Sequence, residues 1–170
     1  MKNLFILICF CVYLISFGAD VKVLGFTAHT ELYTRLTYMF THIAFFHLFM
    51  NMLSFHFLFT TMQRSVNSKL LFFVMILGAY LATFGAEMPQ PTIGASGVVL
   101  FLFGCYVVLY PSRNLLIYLA VFVAVNLLTY YFAHTNIFIH AFSMLYGILF
   151  MLIYRFYEKD KRAKTGNEGA

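Results

Sequence analysis

Ile93-Gly94-Ala95-Ser96-Gly97-Val98-Val99-Leu100-Phe101-Leu102-Phe103-Gly104-Cys105-Tyr106-Val107-Val108-Leu109-Tyr110 runs for 18 residues without a charge. That is the scale of a membrane-crossing helix, which needs about 20 apolar residues to span roughly 30 Å of hydrocarbon. The rest of the chain repeats the pattern. Hydrophobic residues make up 62% of the sequence and charged residues only 10%, where soluble domains carry about 25% charged residues. With a mean hydropathy of +0.85, the composition excludes an ordinary soluble domain. It implies an all-α polytopic membrane protein, because a helix satisfies its own backbone in lipid.

Six spans are expected: Leu4–Phe17, Met39–Thr61, Leu70–Ala86, Ile93–Tyr110, Leu115–Phe132 and Ile137–Phe156. Together they define one six-transmembrane-helix membrane domain over residues 1–157, followed by a polar tail, 158–170, expected to be disordered. The connection from Gly18 to Tyr38 mixes Asp20, Glu31 and Arg35 with Leu24, Phe26, Leu32 and Leu36. Such a loop is suited to lie in the membrane interface.

Net charge is +5, from 11 Lys and Arg against 6 acidic residues. The cations form no patch interleaved with aromatics, so nucleic acid is not an expected partner. They follow the positive-inside pattern instead. With the N-terminus inside, Lys2, Arg64, Lys69, Arg113, Arg155, Lys159, Lys161, Arg162 and Lys164 face the cytoplasm, and only Lys22 and Arg35 face out. Both termini are then cytoplasmic, as in a multi-pass protein of a bacterial-type inner membrane. A cleaved leader ending at Ala19 is disfavoured, since Phe17 would occupy a position that prefers a small residue. Cys9, Cys11 and Cys105 all lie in apolar segments without metal-ligand spacing and read as buried thiols.

In this orientation the second, fourth and sixth spans run from outside to inside. Ser96 and His140 open the fourth and sixth, and so share a depth near the outer leaflet. His47 and Asn51, spaced i, i+4, share one face of the second span, roughly 12 to 18 Å along it at 1.5 Å per residue. Polar groups from three helices are thus placed where they could converge on one outward-opening pocket.

Each group has two readings. Gly94 and Gly97 around Ser96 permit unusual backbone angles and close approach of an amide to a developing oxyanion. With Gly104, they equally suit plain helix packing. His140 can take a serine proton and return it to a leaving amine, or simply bridge two helices by hydrogen bonding. An Asn amide is a known type of oxyanion donor, yet His47 and Asn51 also serve as interhelical polar contacts. His42 lies off the His47 face, and His56 points nearly opposite to it.

Metal chemistry is not expected. No His-Glu-x-x-His occurs, and the six acidic residues (Asp20, Glu31, Glu87, Glu158, Asp160, Glu168) all lie outside the apolar cores. A zinc protease needs a carboxylate there, and an aspartic protease needs two. The same absence limits a serine mechanism to a Ser–His dyad.

In their order along the chain, these motifs resemble the rhomboid family of intramembrane serine proteases. Arg35-Leu-Thr-Tyr-Met-Phe-Thr-His42 resembles the stretch leading into the family's second helix. His47-Leu-Phe-Met-Asn51 resembles its His-x-x-x-Asn, Gly94-Ala-Ser96-Gly97 its Gly-x-Ser-Gly, and His140 to Gly147 its catalytic-histidine helix. The resemblance implies a six-helix rhomboid bundle, with Ser96 as nucleophile and His140 as base. It further implies an oxyanion hole from Asn51, His47 and the Ser96 amide, a site shaped by Gly94 and Gly97, and a close helix contact at Gly104. His42 and Arg35 would be structural. The implied partners are transmembrane protein substrates within the lipid bilayer, and no cofactor is implied. Three positions depart from the family: Leu100 where many bacterial members have Tyr, Ser143 where glycine is usual, and Thr34 where Trp is frequent.

The expected function is therefore hydrolysis of peptide bonds in or near transmembrane segments. The alternative is a catalytically inactive rhomboid-like protein that binds membrane clients. A small transporter would need ionisable residues near the bilayer centre and an internal repeat, and the sequence offers only histidines and no repeat. A lateral gate formed by the fifth span, with bulky ends at Leu115, Leu116, Tyr130, Tyr131 and Phe132, is expected by family analogy alone.

Overall fold

The computed structural model describes residues 1–18, 20, 24–27, 29–86, 91–111, 120 and 136–167. The expected fifth span, Leu115–Phe132, and the gate assigned to it lie outside these residues. Among the described residues the architecture is helical: α1 (Lys2–Ile15), α2 (Thr34–Thr37), α3 (Phe45–Met62), α4 (Ser68–Ala82), α5 (Ser96–Leu109) and α6 (Ile137–Asn167). Among the described residues, three segments are long and apolar enough to cross a membrane: Phe45–Met62, Ser68–Gly85 and Ile137–Lys164. α1 and α5 are apolar but shorter, at 14 residues each.

Burial follows the helical period. α3 buries Leu48, Asn51, Met52, Phe55, Leu58, Phe59 and Met62, a stripe at spacings of three and four. Its other face, including Phe46, Leu53 and Phe57, is exposed, as suits contact with lipid. α4 is capped by Asn67, whose Oδ1 accepts from the amides of Lys69 at 2.9 Å and Leu70 at 3.3 Å. α5 is different: Gly97 to Leu102, Gly104 and Cys105 are all buried, so protein surrounds it on most sides.

Among the described helices, the most extensive pair is α5 with α6. A Cβ on Gly104 would collide with the Met144 carbonyl, and one on Gly147 with the Phe101 carbonyl. Each glycine therefore seats the backbone of the opposite helix, the small-residue contact that helices use in lipid. α1 joins α3 through rings instead, with Phe5 centred 4.6 Å from Phe55.

Arg35, just before the second span, is 8% exposed. Its Nη1 donates to the Thr83 carbonyl at 2.9 Å and to Thr83 Oγ1 at 3.2 Å. The guanidinium lies 4.7 Å from the Phe26 ring and 4.5 Å from the Phe84 ring. A two-way backbone bridge pairs Phe26 with Thr92, at 2.9 and 2.8 Å. These contacts fasten the Gly18–Tyr38 connection to the end of α4 and to the segment leading into α5.

Among the boundaries that differ from the sequence reading, three matter most. The second span does not begin at Met39: Tyr38–Phe40 is a 3₁₀ turn, and Thr41 and Ala44 are extended (ψ 131° and 133°), so the helix starts at Phe45. The fourth starts at Ser96 rather than Ile93, because Gly94 has φ +108°, which a right-handed helix does not allow. Finally, α6 continues to Asn167, so residues 158–167 are helical rather than a disordered tail. Glu158, Lys159, Lys161, Arg162, Ala163 and Lys164 in that stretch are strong helix formers, and Lys164 pairs with Asp160 at 2.7 Å across one turn.

Candidate active site

Ser96 is the first residue of α5, and its Oγ lies 2.8 Å from Nε2 of His140 in the first turn of α6. His47 is in the first turn of α3. The later helix start thus moves His47 and Asn51 closer to the end of their helix than the sequence reading had them. Three helix N-termini now converge. The first amides of a helix lack intrahelical acceptors, and its dipole is positive there, so the arrangement favours negative charge.

The approach to Ser96 is set by the backbone. Gly94 donates its amide to the Tyr38 carbonyl at 2.8 Å. Its positive φ is one that L side chains rarely adopt, and a Cβ would come within 2.5 Å of His47 Cε1. Glycine is needed here on both counts. Next, Ala95 donates its amide to His42 Nε2 at 3.2 Å. An accepting Nε2 assigns the proton to Nδ1, which lies 3.2 Å from the Phe40 carbonyl. His42 is 1% exposed, and its ring sits 5.2 Å from that of His47. His42 therefore holds the loop one residue before Ser96.

Gly97 lets α5 approach its neighbours: a Cβ there would meet Tyr38 Oη at 2.7 Å, Ile139 at 3.1 Å and Ser143 Oγ at 3.2 Å. Tyr38 is itself buried and donates from Oη to the Ala79 carbonyl at 3.0 Å. Asn51 lies on the buried stripe of α3, one turn beyond His47, and its Nδ2 donates to the His47 carbonyl at 2.9 Å. His56 is exposed, away from this cluster. Gly104 stays in the α5–α6 contact, two turns below Ser96. Leu100 is buried one turn after Ser96, and Ser143 is fully buried in α6. No group of three or more metal-ligating side chains comes together among the described residues.

Sequence reasoning missed Asn136. It caps α6, accepting from the Ile139 amide at 3.2 Å, and its Nδ2 donates to the Ala86 carbonyl and to Thr92 Oγ1, both at 2.9 Å. One side chain thus joins the start of the histidine helix to the end of α4 and to the strand-like segment before Ser96. An Asn immediately before an apolar run is the helix-start signal that marks it.

The fold and this cluster define a helical integral membrane protein with a serine and a histidine in hydrogen-bond contact at the meeting point of three helix N-termini. A family model, the rhomboid domain, matches residues 29–116, just over half of the chain. The chain belongs to the rhomboid family. The match takes in His42, His47, Asn51 and Ser96 and ends before His140. No curated protein matches the chain.

Proposed function

We propose that this protein is an intramembrane serine endopeptidase that cuts other proteins in or near their transmembrane segments, with Ser96 and His140 as a catalytic dyad. The observation that carries the reading is the 2.8 Å approach of Ser96 Oγ and His140 Nε2. Rhomboid membership and the inward-facing glycines around Ser96 support it.

In this mechanism the neutral imidazole carries its proton on Nδ1 and accepts the hydroxyl proton at Nε2. Ser96 Oγ attacks the scissile carbonyl carbon, and the carbonyl oxygen takes the negative charge. The Ser96 backbone amide and the side chains of His47 and Asn51 stabilise that oxyanion. An Asn amide has two N–H groups; one donates to the His47 carbonyl and the second engages the oxyanion. Collapse of the tetrahedral intermediate breaks the C–N bond, and His140 returns its proton to the leaving amine. Water, deprotonated by the same imidazole, then hydrolyses the acyl-enzyme. The convergence of three helix N-termini favours both anionic intermediates.

α5 also suits work below the membrane surface. Its 14 residues rise about 21 Å, short of the roughly 30 Å hydrocarbon layer. With Tyr110 near one interface, Ser96 lies several residues' depth beneath the other. The charge distribution supports a site opening outward from a bacterial-type inner membrane, with both termini cytoplasmic.

The test is an activity-directed fluorophosphonate probe on detergent-solubilised protein. Labelling of wild type that vanishes in Ser96→Ala and falls sharply in His140→Ala is the expected result. A folded wild type that takes no label would reject the protease reading in favour of a client-binding family member, with Leu100 the first residue to examine.

A further inference from the structure

We propose that the end of the bundle opposite Ser96 binds the phosphate headgroup of an anionic phospholipid, in a cavity of about 520 Å³ between α5, α6 and the α3–α4 connection. The proposal rests on the protein's place in a membrane, and not on its being a protease.

Depth comes first. From Ile137, where α6 begins, to Arg155 the helix rises about 27 Å, close to one hydrocarbon thickness. Arg155 therefore emerges at the headgroup level of the leaflet farther from the site. Arg155, Lys159 and Arg162 line the cavity, and their i, i+4, i+7 spacing puts them on one helix face. The Asp160–Lys164 ion pair, at 2.7 Å, occupies a different face of the same helix.

The cavity is built by three elements. Arg155 Nη1 donates to the Val108 carbonyl at 3.0 Å, which anchors the guanidinium at the end of α5. A guanidinium has five N–H donors in a fork suited to phosphate, and this bond uses one of them. Tyr154 Oη reaches the Ser65 carbonyl at 3.5 Å, bringing the α3–α4 connection to the rim. Leu109 and Phe156 supply apolar wall beside the cations. Glu158 also lines the cavity, leaving three cations against one carboxylate. A phosphate joined to acyl chains satisfies both halves of such a lining, whereas inorganic phosphate satisfies only the charged half. Basic pockets between membrane helices commonly take anionic lipid headgroups.

The test is native mass spectrometry of the full chain in detergent, titrated separately with phosphatidylglycerol, phosphatidylcholine and inorganic phosphate. Wild type should retain phosphatidylglycerol in preference to phosphatidylcholine. The double variant K159Q/R162Q should weaken that retention about thirtyfold, at roughly fivefold per basic residue. K161Q/K164Q removes the same charge from outside the cavity and should retain the lipid. All four side chains are exposed, so both variants keep the fold. Equal retention of the two lipids, or equal loss in the two variants, would overturn the proposal. Displacement of phosphatidylglycerol by millimolar inorganic phosphate would assign the cavity to a free anion and also overturn it. Because the readout is lipid retention, a failed proteolysis assay leaves this result unaffected.

Discussion

The α5–α6 and α1–α3 contacts solve the same packing problem in opposite ways. α5 and α6 meet backbone to backbone, with Gly104 under the Met144 carbonyl and Gly147 under the Phe101 carbonyl. α1 meets α3 through aromatic side chains, Phe5 against Phe55, and the same ring also packs on Phe40 in the 3₁₀ turn before α3. A ring contact adjusts by rotating a side chain, but a backbone contact has no rotamer to change. The Ser96–His140 pair sits on the helices joined in the unadjustable way. The comparison teaches that a hydrogen bond between two helices is only as definite as the surface that holds those helices apart.

Substitutions at the two contacts should break the symmetry between them. Gly147→Ala and Gly104→Val insert atoms against backbone, where no side chain can yield. We expect loss of fluorophosphonate labelling altogether, with a lower thermal midpoint in detergent; overpacking costs about 1–3 kcal/mol, and rigid neighbours place these sites at the upper end. Wild-type labelling in either variant would show that α6 can move without disturbing the pair. Asn51→Ala comes next. It leaves the helix contact intact and removes the proposed oxyanion donor, so the cleavage rate should fall about 10²–10³-fold, and an unchanged rate would reject that role.

Asn136→Ala tests the contact from its end. Three hydrogen bonds are lost, and the buried Ala86 carbonyl and the half-buried Thr92 hydroxyl are left without that donor. The expected cost of about 1–3 kcal/mol should appear in the thermal midpoint, with labelling reduced about tenfold as His140 loses its fixed height. A normal midpoint would mean that other groups satisfy those acceptors. Phe5→Leu should have the smallest effect on the site. It should lower the midpoint by the equivalent of about 1.5 kcal/mol or less while labelling per folded molecule stays unchanged. Parallel loss of labelling and stability would indicate that the ring contact also governs the Ser96–His140 pair.

Hydropathy made the helices legible, because lipid demands long charge-free runs. It could not locate their starts. Met39 to Ala44 is as free of charge as the helix after it, yet Thr41 and Ala44 are extended, and no hydrophobicity scale registers a backbone break inside a charge-free run. The error mattered, since it assigned His47 a depth when its place is in a first turn beside Gly94. At the other end, polarity was mistaken for disorder: residues 158–167 have left the apolar run but still form helix. Ser96, His140, His47 and Asn51 were readable as chemical types in sequence order. Their convergence depends on which helix ends meet, and that is decided by tertiary contacts such as those of Asn136 and Arg35.

The reciprocal seating of Gly104 and Gly147 has a consequence for life in unequal membranes. Bilayers of different thickness tilt and stretch the helices they touch. α5 is almost enclosed by protein, and its register against α6 is notched at two points, so sliding by a single residue would drive a side chain into a carbonyl. A thicker or thinner host bilayer can lean on the outer helices without lengthening the 2.8 Å gap. The Ser96–His140 contact is thereby insulated from the mechanical state of its solvent.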